Sequence, residues 1–528
     1  MIAADASTSL FVGRNFRWLL ETRAQESCDK DALIWRDLEG GRRRWTYAEL
    51  LADVDKVARG FQDRGIAKGA AVCLFLDNRP EFLLSWFALA SIGAVTVAIN
   101  SRSSASELAY FLTKSKAVAV ITQPHSLDTV SAAITPETNV AQLIVVDEQP
   151  LPAAVIPAEH FSALLASESD PQIPEIAPDD PAMVQFTSGT TSRPKGVVWT
   201  HANLLWGGKI SSGHEKLISD DRHLTLLPLF HTNAQSYSVL ASLWVGATVI
   251  LMPRFSTSRF WPIAVEEKAT WCSITWFGIK ALLGVPVPPD HSFRYFGNGA
   301  NIEAWRRHSG IPMVGWWGMT ETVTHGIVSD PDLPCPSGAI GFPAIEYGLR
   351  ILSDEDGQPL DGPGTGLLEI KGVQGVSTAL EYLDEPEATA AAWHEDGWFE
   401  TGDRVALNED GSITFMEREK DVIKVGGENV ASLEVERVIS RTPGVLESAV
   451  VAGPHRMLQE IPVAFVVPER PGEDVCEAVR AACEEHLADF KCPRHIFLVD
   501  TLPRGTLDKV AKAALRKRAG ELVEANCK

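Results

Sequence analysis

The sequence predicts an α/β protein with a large N-terminal domain of two related α/β subdomains plus a small β subdomain. A small, mobile α+β C-terminal domain follows. Three observations predict it. Residues 46–147 alternate helical periodicity with short β-branched runs such as Ala71-Val72-Cys73-Leu74-Phe75-Leu76 and Ala117-Val118-Ala119-Val120-Ile121. A helix–glycine–strand unit occurs twice, at Leu89-Ala90-Ser91-Ile92-Gly93-Ala94-Val95 and at Leu240-Ala241-Ser242-Leu243-Trp244-Val245-Gly246-Ala247-Thr248-Val249-Ile250. Past Pro331 the texture changes to short apolar runs separated by Asp356-Gly357, Pro363-Gly364 and Asp410-Gly411, the turn chemistry of an antiparallel sheet.

In chain order, the N-terminal domain covers residues 1–417, with subdomains of roughly 1–181, 182–330 and 331–417. The stretch from Glu148 to Pro181 is rich in Pro, Ala and acids and reads as a loose connection. A charged joint at Arg418-Glu419-Lys420-Asp421 forms a hinge over 418–421, and residues 422–528 make the mobile domain. Within it, Ser448–Ala452 and Val463–Val467 read as strands and Asp474–Asp489 as a helix.

A chain of 528 residues is too long for one core. A net charge of −21 disfavours nucleic-acid binding, so any anionic ligand must be held by local cations and backbone amides. The eight cysteines include no CxxC pair, the pattern of free thiols in a reducing cytoplasm. Phe82 to Ile99 carries no charge across 18 residues, near membrane-spanning length. Gly93 divides it and its second half is β-branched, so helix, turn and buried strand is the better reading. No membrane insertion and no secretory signal are expected.

The densest chemistry lies in Thr187-Ser188-Gly189-Thr190-Thr191-Ser192-Arg193-Pro194-Lys195-Gly196, between two apolar runs. Glycines admit backbone N–H groups to a ligand, hydroxyls donate and Lys195 brings a positive charge, a set suited to a polyphosphate. It is not the GxxxxGK[ST] loop, because the lysine precedes the last glycine. A plain polar surface loop is the bland alternative for that composition.

Four further clusters follow. In Trp317-Gly318-Met319-Thr320-Glu321 a flat ring suits a base, a hydroxyl suits a phosphate and a carboxylate suits Mg²⁺. Asp403, after Thr401-Gly402, has two oxygens that can accept both ribose hydroxyls, and Arg418 can add a donor. Lys509 closes Arg504-Gly505-Thr506-Leu507-Asp508. Each alone is more simply core, turn or surface; their order along one chain is what carries information.

That ordered set resembles the adenylate-forming superfamily of acyl-CoA synthetases, nonribosomal peptide adenylation domains and beetle luciferases. The pattern is nearest to bacterial AMP-forming synthetases of the carnitine/crotonobetaine and medium-chain type. The resemblance runs from Thr46-Tyr47-Ala48-Glu49-Leu50 to Lys509. It implies a ligase that activates a carboxylic acid with ATP and Mg²⁺ to an acyl-adenylate, then passes the acyl group to coenzyme A. By resemblance, Thr187, Ser188, Gly189, Thr190, Thr191 and Lys195 hold the β/γ-phosphates, Thr320 the α-phosphate, and Glu321 the metal. Asp403 and Arg418 hold the ribose, and Gly299, Ala300, Asn301, Trp317, Gly318 and Met319 surround the nucleotide. Lys509 bridges carboxylate and α-phosphate. Lys420 matches the hinge, while Gly426-Gly427 and the preceding Lys424 match the loop serving the second half-reaction.

Departures from the family pattern are Ser192 for a glycine, Trp317 for a tyrosine, Gly315 for an amide, and Asp508 for a glycine. Without an amide at 315, adenine recognition falls to Asn298, Asn301 or backbone at Gly299-Ala300. The segment Pro228-Leu229-Phe230-His231-Thr232-Asn233 lacks the acid expected for an α-amino acid substrate. His231, Asn233, Trp276, Phe277 and Gly318 are candidate pocket walls, suited to a bulky, apolar or cyclic acid, or to a quaternary ammonium. A stand-alone enzyme loading a carrier-protein phosphopantetheine remains an alternative, as does a catalytically weak nucleotide-binding homologue. A homodimer is left open.

Overall fold

The computed structural model describes all residues except 1–9, 150, 152–155, 168, 188–193, 419–420, 426–427, 456–457, 488, 505–509 and 527–528; the side chains of 417, 418, 422, 424, 428, 429 and 524–526 are also outside the described set. The chain divides into one unit of Met1–Leu349 with Ile370–Glu400, and another of Arg350–Glu369 with Thr401–Lys528.

Among the described residues of the first unit, two large sheets dominate. One has eight strands in the order Glu381–Tyr382, Lys195–Thr200, Pro181–Thr187, Val95–Ala98, Ala71–Phe75, Ala119–Thr122, Gln142–Val145, Ala158–His160. Its interior pairings are parallel, and the Pro181–Thr187/Lys195–Thr200 pair is antiparallel. The other has nine strands, from Phe342–Pro343 through Ile327–Val328, Met313–Trp317, Tyr295–Asn298, Trp271–Ser273, Arg222–Thr225 and Thr248–Leu251 to Asp31–Arg36 and Arg42–Thr46. The sheets draw on the chain out of order: the early strand Asp31–Arg36 pairs in parallel with Thr248–Leu251.

Both helix–glycine–strand units form. Helix Pro80–Ser91 is buried at every position but Glu81 and leads through Gly93 (φ 71°) into Val95–Ala98; helix Ala241–Val245 leads through Gly246 (φ 72°) into Thr248–Leu251. Glycine is required at both turns, because a side chain in the left-handed region is strained. Burial on all sides explains the missing charges of Phe82 to Ile99, and no helix among the described residues is long and apolar enough to cross a membrane. The Glu148–Pro181 connection is more ordered than its composition suggests. It contributes the edge strand Ala158–His160 and the helical turn Ser162–Leu165, whose Leu164 is fully buried against the close-packed Gly60.

A core of aromatic and aliphatic residues, including Phe16, Phe61, Trp86, Phe87 and Trp199, fills the first unit, and a second core around Phe260, Phe296 and Trp305 backs the nine-stranded sheet. Charges that are buried are paired. Arg36 lies 2.6 Å from Glu267, which also meets Arg42 and Arg222, and these guanidinium groups hold its carboxyl below the usual range despite desolvation.

In the second unit, an antiparallel four-stranded sheet runs Gly348–Ser353, Gly364–Lys371, Trp398–Leu407, Ile413–Arg418. A five-stranded sheet centres on the long pair Val445–His455 and Gln459–Pro468. The strands expected at 448–452 and 463–467 lie within that pair, and the helix expected over 474–489 spans Cys476–His486.

Candidate active site

Strand Pro181–Thr187 and its antiparallel neighbour Lys195–Thr200 pair Thr187 directly with Lys195. The base of the hydroxyl-rich loop is therefore fixed by a strand pair. Ser188, Gly189, Thr190, Thr191 and Ser192 lie outside the described residues. Lys195 extends over the ring of Tyr382, with Nζ 4.5 Å from the centroid. Tyr382 comes from the two-residue strand Glu381–Tyr382, which pairs with Lys195–Thr200 on its other edge. Its hydroxyl donates to Glu321 Oε1 at 3.0 Å. The loop lysine and the predicted metal-binding acid thus touch the two ends of one tyrosine.

Glu321 is 4 % exposed and lies in the single 3-10 turn Thr320–Thr322, where strand Met313–Trp317 has ended. Both backbone carbonyls of the pair are tied to neighbouring elements. Trp199 Nε1 donates to Thr320 O (2.8 Å), and Ala379 N donates to Glu321 O (2.8 Å). Thr320 Oγ1 lies 3.0 Å from Thr232 Oγ1, which donates to Gln185 Oε1 at 3.1 Å. The turn ends in Val323 at φ 63°, a conformation costly for a β-branched residue, of order 1–3 kcal/mol. Thr322 Oγ1, donating to Thr324 O at 3.0 Å, and a Ser211–Thr324 hydroxyl contact brace it.

Two glycines of this stretch are dictated by packing. A Cβ at Gly318 would sit 2.4 Å from the Tyr237 hydroxyl and 2.6 Å from Thr324 O. A Cβ at Gly315 would sit 2.3 Å from Ile340 O, which accounts for the missing amide: the backbone has moved into its space. Trp317 is 7 % exposed and packs against Gly326, while Met319 accepts Thr322 N at its carbonyl (3.1 Å). Gly299 and Ala300 follow strand Tyr295–Asn298, and Ala300 N donates to Asn298 Oδ1 at 3.3 Å. The Asn301 side-chain amide is committed to Cys335 O (2.8 Å) and that of Asn298 to Ile274 O (2.7 Å).

Of the pocket candidates, His231 is half-buried with its ring 4.6 Å from Phe230, and Asn233 opens a π-helical stretch, Asn233–Leu240, while accepting from Ser273 Oγ at 2.6 Å. Trp276 and Phe277 are 50 % and 67 % exposed at the start of helix Trp276–Leu283.

In the second unit, Asp403 is buried and stands opposite Arg418 in the register of the strand pair Trp398–Leu407 and Ile413–Arg418. Gly402, at φ 67°, and a 3.1 Å bond from Asp403 N to Thr401 Oγ1 shape the backbone before it. Lys424 sits on strand Val422–Val425, in register with Asn429. Lys420, Gly426, Gly427, Asp508 and Lys509 lie outside the described residues.

Tyr382, Thr232, Gln185 and Trp199 are the contributors that sequence reading missed. Tyr382 lies 61 positions from Glu321, and no local pattern marks it.

The arrangement pairs a phosphate-type loop with a buried hydroxyl–carboxylate turn. The family described as "AMP-binding enzyme" matches residues 20–383, and its partner family "AMP-binding enzyme C-terminal domain" matches 434–509. The chain belongs to the AMP-binding enzyme family. This AMP-binding enzyme is 34% identical over 520 residues to crotonobetaine/carnitine–CoA ligase of Salmonella paratyphi C (strain RKS4594), covering 96% of this chain and 99% of the relative. The enzyme of the same name from Citrobacter koseri is also 34% identical, with the same coverage. Among solved structures, a benzoate CoA ligase from Burkholderia xenovorans LB400 superposes with a TM-score of 0.83 at 26% identity, over 95% of this chain and 99% of its own. The o-succinylbenzoate coenzyme A synthetase of Bacillus subtilis, solved with AMP, gives 0.80 at 26% identity over 94% and 98%. The AMP-binding enzyme described here is an AMP-forming acyl-CoA synthetase that uses ATP and coenzyme A.

Proposed function

We propose that the enzyme activates a bulky, apolar or cyclic carboxylic acid with MgATP and transfers the acyl group to coenzyme A. The observation that carries the reading is the contact chain from Lys195 through Tyr382 to Glu321. It gathers a cation and a carboxylate beside the Thr320 hydroxyl, where a polyphosphate and a divalent cation would need them.

In the first half-reaction a substrate carboxylate oxygen bonds to the α-phosphorus of ATP and the bond from that phosphorus to the bridging oxygen breaks, releasing pyrophosphate. Two anions must approach, so positioned positive charge lowers the barrier. Lys195 and the loop from Thr187 would hold the β/γ-phosphates and Thr320 the α-phosphate. Glu321 is a single buried carboxylate, and no group of three metal-ligating side chains exists among the described residues. That donor set fits Mg²⁺, which is commonly bound by one or two carboxylates together with substrate phosphates and supplies charge neutralisation when present. Asp403 and Arg418 would take the ribose hydroxyls. Lys509 would bridge carboxylate and α-phosphate, then withdraw as residues 422–528 turn about Lys420 and bring Lys424 and Gly426-Gly427 to the thiol.

His231, Asn233, Trp276 and Gly318 are the proposed acyl-pocket residues. The relatives' named substrates, crotonobetaine and carnitine, support a branched or bulky acid over a plain fatty chain. Free cysteines at 28, 73, 272, 476 and 483 support a reducing, cytoplasmic setting.

Pyrophosphate–ATP exchange across a panel of branched, cyclic and quaternary-ammonium acids tests the reading. Exchange with one class, followed by thioester formation with free coenzyme A, is the expected result. Exchange with no acid would leave a nucleotide-binding protein without catalysis, and thioester formation only on a carrier protein would make it a loading enzyme.

A further inference from the structure

Behind the Thr320–Glu321 turn lies a buried chain of ionisable side chains that the proposed chemistry does not use. His325, four residues past Glu321, is fully buried; its ring stacks on Trp316 (centroids 4.7 Å, 20°) and lies 4.0 Å from Tyr237. The Tyr237 hydroxyl is the atom that denies Gly318 a side chain. His325 Nδ1 is 3.3 Å from His214 Nδ1, and His214 Nε2 is 3.0 Å from Glu346 Oε2. On its other side, His325 Nε2 faces Glu215 Oε1 across 3.9 Å. Glu215 is fully buried, and neither its carboxyl oxygens nor His325 Nε2 has a hydrogen-bond partner among the described residues.

One arrangement of hydrogens fits every contact of this chain. The His214 contact holds the Glu346 carboxyl below its usual range, so Glu346 is an ionised acceptor and His214 Nε2 carries the hydrogen. With its hydrogen at Nε2, His214 offers Nδ1 as the acceptor for the Nδ1–H of His325. His325 Nε2 is therefore an acceptor, and burial drives the His325 imidazole well below its usual range, so it stays neutral. Burial raises the Glu215 carboxyl well above its usual range, so it keeps its proton. The other ionisable groups facing the chain are Asp221 and Tyr237 beside Glu215, and Tyr347 beside Glu346 and Tyr237.

We propose that Glu346 and His214 lock His325 in its Nδ1–H tautomer, with Glu215 packed behind its Nε2, and that this chain positions the Gly318–Glu321 segment for adenylate formation. The four side chains are positioning residues. They act through the packing of His325 on Trp316 and of Tyr237 on Gly318, and none is placed on substrate. The inference rests on the acid-activating reading above.

Glutamine at position 214 can donate to Glu346 and accept from His325, whereas leucine can do neither. Pyrophosphate–ATP exchange of wild type, His214→Gln and His214→Leu is therefore the test, with kcat and KM for ATP separated. The expected result is near-wild-type kcat in His214→Gln. His214→Leu should lose about tenfold in kcat, because it strands two partners. Glu215→Gln, which keeps a polar group facing His325 Nε2, should stay within about threefold of wild type, and Glu215→Leu should not. Equal activity of the glutamine and leucine variants at both positions overturns the proposal. Should the leucine variants fail to fold, ¹⁵N histidine spectra of wild type report the His325 tautomer directly, and an Nε2–H tautomer is equally fatal. Absence of exchange in wild type with every acid instead rejects the acid-activating reading itself.

Discussion

The Tyr382 hydroxyl donates to Glu321 Oε1 at 3.0 Å, and this one bond ties a two-residue edge strand to the Thr320–Thr322 turn. It holds one oxygen of the carboxylate in place. The same ring carries Lys195 on its face, so Tyr382 sets the spacing between a cation and an anion that must not neutralise each other.

Tyr382→Phe keeps the ring under Lys195 and removes only the donor. A hydrogen bond to a charged group is worth about 1.5–3 kcal/mol, so pyrophosphate–ATP exchange should fall roughly 10- to 100-fold. The KM for ATP should rise at low Mg²⁺ and recover as Mg²⁺ is raised. Wild-type exchange at all Mg²⁺ concentrations would show that the bond is incidental.

Gly315→Asn restores the side chain that related enzymes commonly carry, yet here it should harm the protein. The new Cβ would meet Ile340 O at 2.3 Å, well inside any real contact. Displacing that backbone costs about 1–3 kcal/mol, visible as a lower thermal midpoint. A variant of unchanged stability with tighter ATP binding would refute the packing argument.

Acid should destabilise the fold through two buried imidazoles. Burial lowers His201 and His223 to about 4 from 6.5, and His201 Nδ1 accepts Phe16 N–H at 3.3 Å, which requires the neutral ring. Unfolded, each takes up a proton near pH 6.5 that the folded site refuses. Their contribution is therefore complete above about pH 6.5 and is lost as pH falls toward 4, at roughly 3 kcal/mol per site in full. Urea unfolding at pH 7.5 and pH 5 measures it. His201→Asn, whose amide oxygen can replace Nδ1, should lose less stability across that interval than wild type; an equal loss removes His201 from the account.

Lys509→Ala should abolish adenylate formation while leaving thioester formation from a presynthesised acyl-adenylate largely intact. Equal loss of both half-reactions would remove the lysine from its assigned role.

Local chemistry carried much of this protein. The helix–glycine–strand units at 80–98 and 241–251 were legible because left-handed glycine between a uniformly apolar helix and a β-branched run leaves few alternatives. Thr187, Lys195, Thr320 and Glu321 stood out as candidates because phosphate chemistry needs hydroxyls, charge and glycine within a few residues of one another. Tyr382, Thr232 and Gln185 were not: each reaches the turn across a sheet or between elements, and such contacts leave no periodic trace.

The chain's own order of residues determined its class, its secondary elements and the residue types at the nucleotide site, since those depend on neighbours a few positions away. Tertiary structure alone decided that Asp31–Arg36 joins a sheet built mostly from residues 222–343, that position 315 has no room for a side chain, and that Glu346, His214 and His325 line up in contact with Glu215 facing the last of them. The physical reason is common to all three. Strand pairing, close packing and burial of charge depend on distances between segments far apart along the chain, and those distances exist only once the chain has folded.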